Sequence, residues 1–94
     1  MVNYKNSRIY KLIGGDNILI SGTTISLGRR LANLHRDFKL GLGANDMREV
    51  MKYYHADIIL IENFPCDSRE KLNDRVKYWI TQTPCINRPK IYIN

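Results

Sequence analysis

The distribution of apolar residues predicts a β-hairpin near the N-terminus and a later strand. Residues 8–13 (RIYKLI) and 17–21 (NILIS) contain β-forming residues with partial alternation, and a Gly-rich turn lies between them. Two such runs joined by a tight polar turn are typical of a hairpin. A continuous apolar run at 57–62 (DIILIE) predicts a third, buried strand, and residues 91–93 predict a short edge strand.

Three other segments repeat apolar residues with the 3.6-residue period of an α-helix, which predicts helices over 26–38, 46–55 and 68–81. Their apolar faces consist of Leu27, Leu31, Leu34 and Phe38; Met47, Val50, Met51 and Tyr54; and Leu72, Val76, Trp79 and Ile80. The combined order predicts an α+β sandwich. In it, a small three-stranded antiparallel sheet, formed by the hairpin and the later strand, is flanked by three helices.

Polar residues at the start of each predicted helix indicate the N-caps. Ser26 directly precedes the first apolar face. Asp46 and Asp67 each precede a Glu by three residues, which is the spacing of a capping box with Asp in place of Ser or Thr.

Length and composition predict one globular domain over 1–94, with its core over about residues 7–90. The chain has 94 residues, 44% hydrophobic and 26% charged, which excludes a disordered, collagen-like or disulfide-dense protein. No apolar run approaches the roughly 20 residues of a membrane span, and no signal peptide is recognisable, so no membrane partner is expected. Cys66 and Cys85 form no CxxC pair, which predicts free thiols in a reducing, intracellular compartment.

The net charge is +6, from 15 Lys and Arg against 9 Asp and Glu. A surplus of this size on a small domain favours a polyanionic partner, above all nucleic acid. The alternative is a charge that serves solubility alone, since magnitudes of about 2–8 are ordinary for small domains.

Six short segments, in order along the chain, together resemble the GIY-YIG nuclease domains, including those of large DNA viruses and phages. The family is named for two short sequences on the strands of an N-terminal hairpin. The segments are RIY at 8–10, ISG at 20–22 (or LIS at 19–21), LGRRL at 27–31, IENFPCD at 61–67, RVKYWI at 75–80 and CINRP at 85–89. The resemblance implies a GIY-YIG-like sandwich and a nuclease ancestry.

Two positions depart from the family pattern in a way that predicts loss of cleavage. The resemblance implies that the metal-binding Glu is replaced by Val76, and that the second Tyr is replaced by Ile20 or, in the other register, Leu19. The first register places Arg30 ten residues later, which is the usual spacing in the family. Aliphatic side chains neither coordinate a hard cation nor move a proton, so no metal and no cofactor are expected. Mg²⁺ would be needed only by an active nuclease, for which Glu62 is the best remote ligand.

The resemblance leaves Tyr10, Arg30 and Asn87 at positions of family site residues. Each has a simpler interpretation. Tyr10 can fill the core with its hydroxyl satisfied, Arg30 can pack its stem on leucines, and Asn87 can be a turn residue. Alternatively, Arg30 meets a phosphate across a shallow groove.

Three functions follow from these observations. The first is an inactive or impaired nuclease-like domain that binds nucleic acid, DNA above all, through a basic cleft of Arg29, Arg30, Arg36 and Lys77. The second is a structural or protein-interaction module, for example a component of a viral particle. The third is an active metal-dependent DNA endonuclease with an altered site. Catalysis is not expected, and the expected location is the cytoplasm, the nucleus or a virion.

Overall fold

The computed structural model describes residues 3–86 of the chain. After a 3₁₀ turn at Tyr4–Asn6, the elements are β1 (Arg8–Gly14), β2 (Asn17–Thr23), α1 (Leu27–Lys39), α2 (Asn45–Met51), β3 (Asp57–Asn63) and α3 (Arg69–Gln82). The strands form an antiparallel sheet in the order β2-β1-β3. The predicted α+β class, with a three-stranded antiparallel sheet and three helices, is confirmed. The edge strand predicted at 91–93 and the site residue Asn87 lie outside the described residues.

The central strand β1 separates two hydrophobic clusters, because neighbouring side chains of a strand point to opposite faces. Tyr10 and Leu12 belong to the cluster that packs under α1 and α2. Ile9 belongs to the other cluster, together with Ile20 of β2 and the buried face of α3. The domain is therefore a three-layer sandwich, with α1 and α2 on one face of the sheet and α3 on the other.

Two glycines at the turn of the β1–β2 hairpin allow it to lie close against α2. Gly15 has a φ of +59°, in the left-handed region that favours glycine. At Gly14, a Cβ atom would overlap the backbone carbonyl oxygen of Val50 in α2. These glycines let the hairpin end pack directly against α2.

One of the three predicted N-caps is confirmed. The Ser26 side chain accepts the backbone N–H three residues later, as predicted. The prediction of Asp46 is wrong, because α2 starts one residue earlier and its N-cap is Ala44. The prediction of Asp67 is also wrong. Ser68 is the N-cap of α3, and the Asp67 carboxylate instead pairs with a lysine of the first turn.

The second helix is shorter than predicted, ending at Met51 rather than at residue 55. Met47, Val50 and Met51 contact the cluster under α1 and α2, as their spacing predicts. Tyr54 does not, because it lies beyond the helix end and is 93% exposed. None of the helices within residues 3–86 has the length and hydrophobicity to cross a membrane.

The third strand was predicted to be buried, but it lies at the edge of the sheet. Ile59 and Leu60 are 41% and 43% exposed, because a neighbouring strand covers only one side of β3 within the described part of the chain. The β1–β3 register also shifts: Tyr10 pairs with Leu60, whereas Ile9 pairs with Glu62. Ile61 is therefore an extra residue, a β-bulge.

Candidate nucleic-acid interface

Tyr10 and Arg30, which are 20 residues apart in the sequence, meet at the sheet face under α1. Tyr10 is fully buried, and its hydroxyl accepts a hydrogen bond from Arg30 Nε at 3.3 Å. Both stand at positions that the resemblance implies are site residues, and in the structure they are in contact. The same contact also satisfies the hydroxyl of a core tyrosine, which is the simpler interpretation.

The rest of the Arg30 guanidinium is available to a ligand. Arg30 is partly buried, and among residues 3–86 its terminal NH₂ groups have no hydrogen-bond or ion-pair partner. It lines a cavity of about 220 Å³ between α1 and α2, whose other walls include Leu34, Phe38, Met47 and Met51. Asp37 and Arg48 also line this cavity, so it holds two guanidinium groups and one carboxylate. A guanidinium binds phosphate or carboxylate well because its planar group can donate two parallel hydrogen bonds.

The exposed side of α1 carries further cations. Arg29 and Arg36 lie seven residues apart and therefore share one side of the helix. Both are exposed, and Arg36 has a weak contact with Asp37, at 3.5 Å. Lys77 does not join this surface. It lies on α3, on the opposite side of the sheet, with its Nζ 3.9 Å from Asp74.

Glu62, the remote candidate for a metal ligand, is fully engaged by α3. Its Oε1 accepts from Arg75 Nε at 2.6 Å and from Trp79 Nε1 at 3.1 Å, and its Oε2 accepts from Arg75 Nη2 at 2.9 Å. The Arg75 guanidinium also stacks on the Tyr78 ring, 4.4 Å from its centroid. A cation at this carboxylate would have to compete with the Arg75 guanidinium that already neutralises it. Among residues 3–86, no group of three or more His, Cys, Asp and Glu side chains is arranged to hold a metal ion.

The two aliphatic replacements implied by the resemblance lie in one cluster. Ile20 and Val76 are both buried in the cluster between the sheet and α3, together with Ile9, Leu72 and Ile80. They face away from the layer that contains Tyr10 and Arg30. Leu19, the alternative position, is buried on the Tyr10 face.

Sequence reasoning missed a second cationic surface near the end of α1. His35 and Lys39 lie one turn apart on α1, and Lys52 and Tyr54 come from the segment after α2. They surround an open groove whose remaining walls are Phe38 and Met51. The i, i+4 spacing of His35 and Lys39 was a visible signal. The contribution of Lys52 and Tyr54 was not visible, because the predicted helix extended through them.

Comparison of the chain with family models, curated proteins and solved structures finds no match. Function is therefore inferred from the chemistry of these surfaces and from the resemblance of the short segments.

The Glu62–Arg75 pair predicts a specific pH dependence of stability. The hydrogen bonds from Arg75 lower the pKa of Glu62 below the ordinary value of 4.5. Desolvation of the carboxylate raises the pKa in part, and the hydrogen bond from Trp79 lowers it further. Because the pKa of Glu62 is lower in the folded than in the unfolded chain, the ionised carboxylate stabilises the fold fully above about pH 4.5. This stabilisation is lost as the pH falls through the folded-state pKa. We expect Glu62→Gln to lower the free energy of unfolding at pH 7 by about 1–2 kcal/mol, since hydrogen bonds to charged groups are worth roughly 1.5–3 kcal/mol before screening.

Urea unfolding of wild type and Glu62→Gln from pH 7 to pH 2.5 measures this difference, which should shrink at the acidic end. Glu49→Gln is the matched control, because it removes the exposed pair between Glu49 of α2 and Lys52, just after the helix, and should have little effect at any pH. A difference between wild type and Glu62→Gln that does not vary with pH would contradict the prediction.

Proposed function

We propose that this chain is a GIY-YIG-like domain that binds nucleic acid, DNA above all, through the arginines of α1 and has no appreciable nuclease activity. The observation that supports the proposal most is the Arg30–Tyr10 contact, in which one nitrogen of a partly buried arginine is anchored and the others remain available. The hydrogen bond fixes the orientation of the guanidinium in advance, which lowers the entropic cost of binding a phosphate.

The neighbouring charges on α1 favour a polyanion over a single small anion. Arg29, Arg36 and Lys39 extend the positive surface along the helix, and Asp37 is the one carboxylate within α1. Phosphates repeat along a nucleic-acid strand, so cations spread over several turns can each neutralise one.

The packing of the hydrophobic cluster between the sheet and α3 supports the absence of catalysis. The resemblance implies that cleavage would need a metal-binding side chain at the position of Val76 and a proton-accepting one at that of Ile20. Both positions are packed with aliphatic neighbours. With Val76 and Ile20 at these positions, this region is a hydrophobic core and offers no polar group for catalysis.

Binding is tested by titrating a fluorescein-labelled 20-base-pair DNA at several salt concentrations. The triple variant Arg29→Gln, Arg30→Gln, Arg36→Gln should lower the salt slope by about 0.9 for each lost phosphate contact and weaken binding at least about tenfold at low salt. The matched control, Arg69→Gln, Lys71→Gln, Lys77→Gln, removes the same charge from α3 and should bind much more like wild type.

Equal losses in the two triple variants would show that net charge, rather than the α1 surface, determines binding. A loss of DNA affinity in the α3 variant alone would show that the interface lies on the α3 side of the sheet, contrary to our proposal. Failure of wild type to bind DNA or RNA at low salt would overturn the binding proposal altogether.

The exposed edge of β3 favours a second candidate, a structural or protein-interaction module. Ile59 and Leu60 point to opposite faces of this edge strand and both are substantially exposed. Asp57–Asn63 contains no Lys or Pro, and the bulge at Ile61 interrupts the edge only near its end, so the Asp57–Leu60 part is open to pairing. A protein partner could add a strand here. An active endonuclease is the weakest of the three, because Glu62 is already bound by Arg75 and Trp79.

A further inference from the structure

The groove at the end of α1, which we call the Tyr54 groove, combines an apolar floor with a cationic rim. It has a volume of about 350 Å³ and is lined by His35, Phe38, Lys39, Met51, Lys52 and Tyr54. This volume lies near the lower end of the roughly 300–1,000 Å³ found for ligand pockets. The groove therefore suits one flat ring system better than a large ligand.

We infer that the Tyr54 groove binds an unstacked base of a single-stranded polynucleotide, with the neighbouring phosphates on Lys39 and Lys52. This inference deepens the proposed function and rests on it. Single-strand sites commonly pair aromatic rings, on which bases stack, with cations that follow the backbone. Duplex DNA cannot offer such a base without breaking a pair.

The environment of Tyr54 is the first argument for this occupant. Its side chain is 93% exposed, and its ring has an edge-to-face contact with His55, at 5.4 Å between centroids. Because His55 can cover at most one face of the ring, this exposure leaves at least one face of Tyr54 open to a stacking partner. A large aromatic side chain held in water gains apolar burial when a base covers it.

The charges of the rim are the second argument. Lys39 has no ion-pair partner among residues 3–86, and Lys52 is paired at 2.8 Å with the exposed Glu49. Exposed pairs are worth little, so a phosphate can replace Glu49 at small cost. Lys39 lies three residues after Arg36 on α1, so the groove adjoins the exposed arginines of that helix, whereas Arg30 lies on the opposite flank.

Fluorescence anisotropy with labelled twelve-residue oligonucleotides tests the inference. The probes are oligo(dT), oligo(U), a duplex of the same length and, as a polyanion without bases, poly-glutamate. Tyr54→Ala should weaken binding of oligo(dT) or oligo(U) at least about fivefold, which corresponds to the lower end of base–aromatic stacking energies. Duplex binding should change less than twofold, and Tyr54→Phe should retain single-strand binding. Comparison of oligo(dT) with oligo(U) distinguishes DNA from RNA.

Tyr78→Ala is the matched control, because Tyr78 is also exposed but lies on α3, on the other side of the sheet. If wild type binds the single-stranded probes and Tyr54→Ala binds them no more weakly than Tyr78→Ala does, this inference is overturned and the proposed function stands. The same would follow if poly-glutamate bound as tightly as the oligonucleotides and showed the same dependence on Tyr54. Absence of binding to every polynucleotide would overturn both.

Discussion

Val76→Glu is expected to lower the free energy of unfolding by about 3–5 kcal/mol and to restore no Mg²⁺-dependent cleavage. Val76 is 3% exposed and packs between Ile9, Ile20 and its own helix neighbours, so a carboxylate there would be buried without a partner. Adding Ile20→Tyr supplies both groups that the family resemblance implies, and we expect it to restore weak cleavage at most. Urea unfolding followed by the fluorescence of the single Trp measures stability, and plasmid nicking with Mg²⁺ or Mn²⁺ measures activity.

Val76→Ala is the control for the loss of packing alone. It removes two methyl groups without adding charge and should cost roughly 1–3 kcal/mol. A stable Val76→Glu protein that nicks plasmid would show that the cluster retains a catalytic arrangement. Nicking by wild type that disappears in Glu62→Ala would contradict the assignment of Glu62 as a purely structural partner of Arg75.

Tyr10→Ala is expected to cost about 3–5 kcal/mol, while Tyr10→Phe costs only about 1 kcal/mol. Among residues 3–86, Tyr10 is the largest fully buried side chain, and its truncation leaves a cavity under α1. The Phe variant keeps the ring and loses only the hydrogen bond with Arg30. Urea unfolding of both variants gives the two values.

The Phe variant also separates the structural and binding roles of this contact. If the hydroxyl orients Arg30 for phosphate, Tyr10→Phe should weaken DNA binding about two- to tenfold while the fold remains stable. Unchanged affinity would mean that Arg30 binds without help from Tyr10, or that it packs on the leucines as a structural residue.

The hairpin and the three helices were predictable because their periods are local properties of the sequence. Alternation at 8–13 and the repeat from Leu27 to Phe38 each need only their own segment to show which face is buried. The end of α2 was not predictable in this way. Tyr54 continues the helical spacing of Met47 and Met51, but the chain leaves the helix three residues before it.

Strand order and layer assignment depend on contacts distant in sequence, and this is where prediction failed. The run Ile58–Ile61 has the composition of a central strand, and nothing local shows that β3 occupies an edge. Lys77 was grouped with the α1 arginines by charge alone. The sandwich places α3 on the far face of the sheet, because Leu72 and Val76 pack against Ile9 and Ile20.

The extra residue in β3 separates the charges of the two layers. Leu60 pairs with Tyr10 and so shares its face, and strict alternation would have placed Glu62 on that face as well. Because Ile61 is inserted at the bulge, Glu62 instead pairs with Ile9 and reaches Arg75 on α3. A single added residue thus turns the Glu62 carboxylate away from the face that carries Arg30 and toward an arginine of α3.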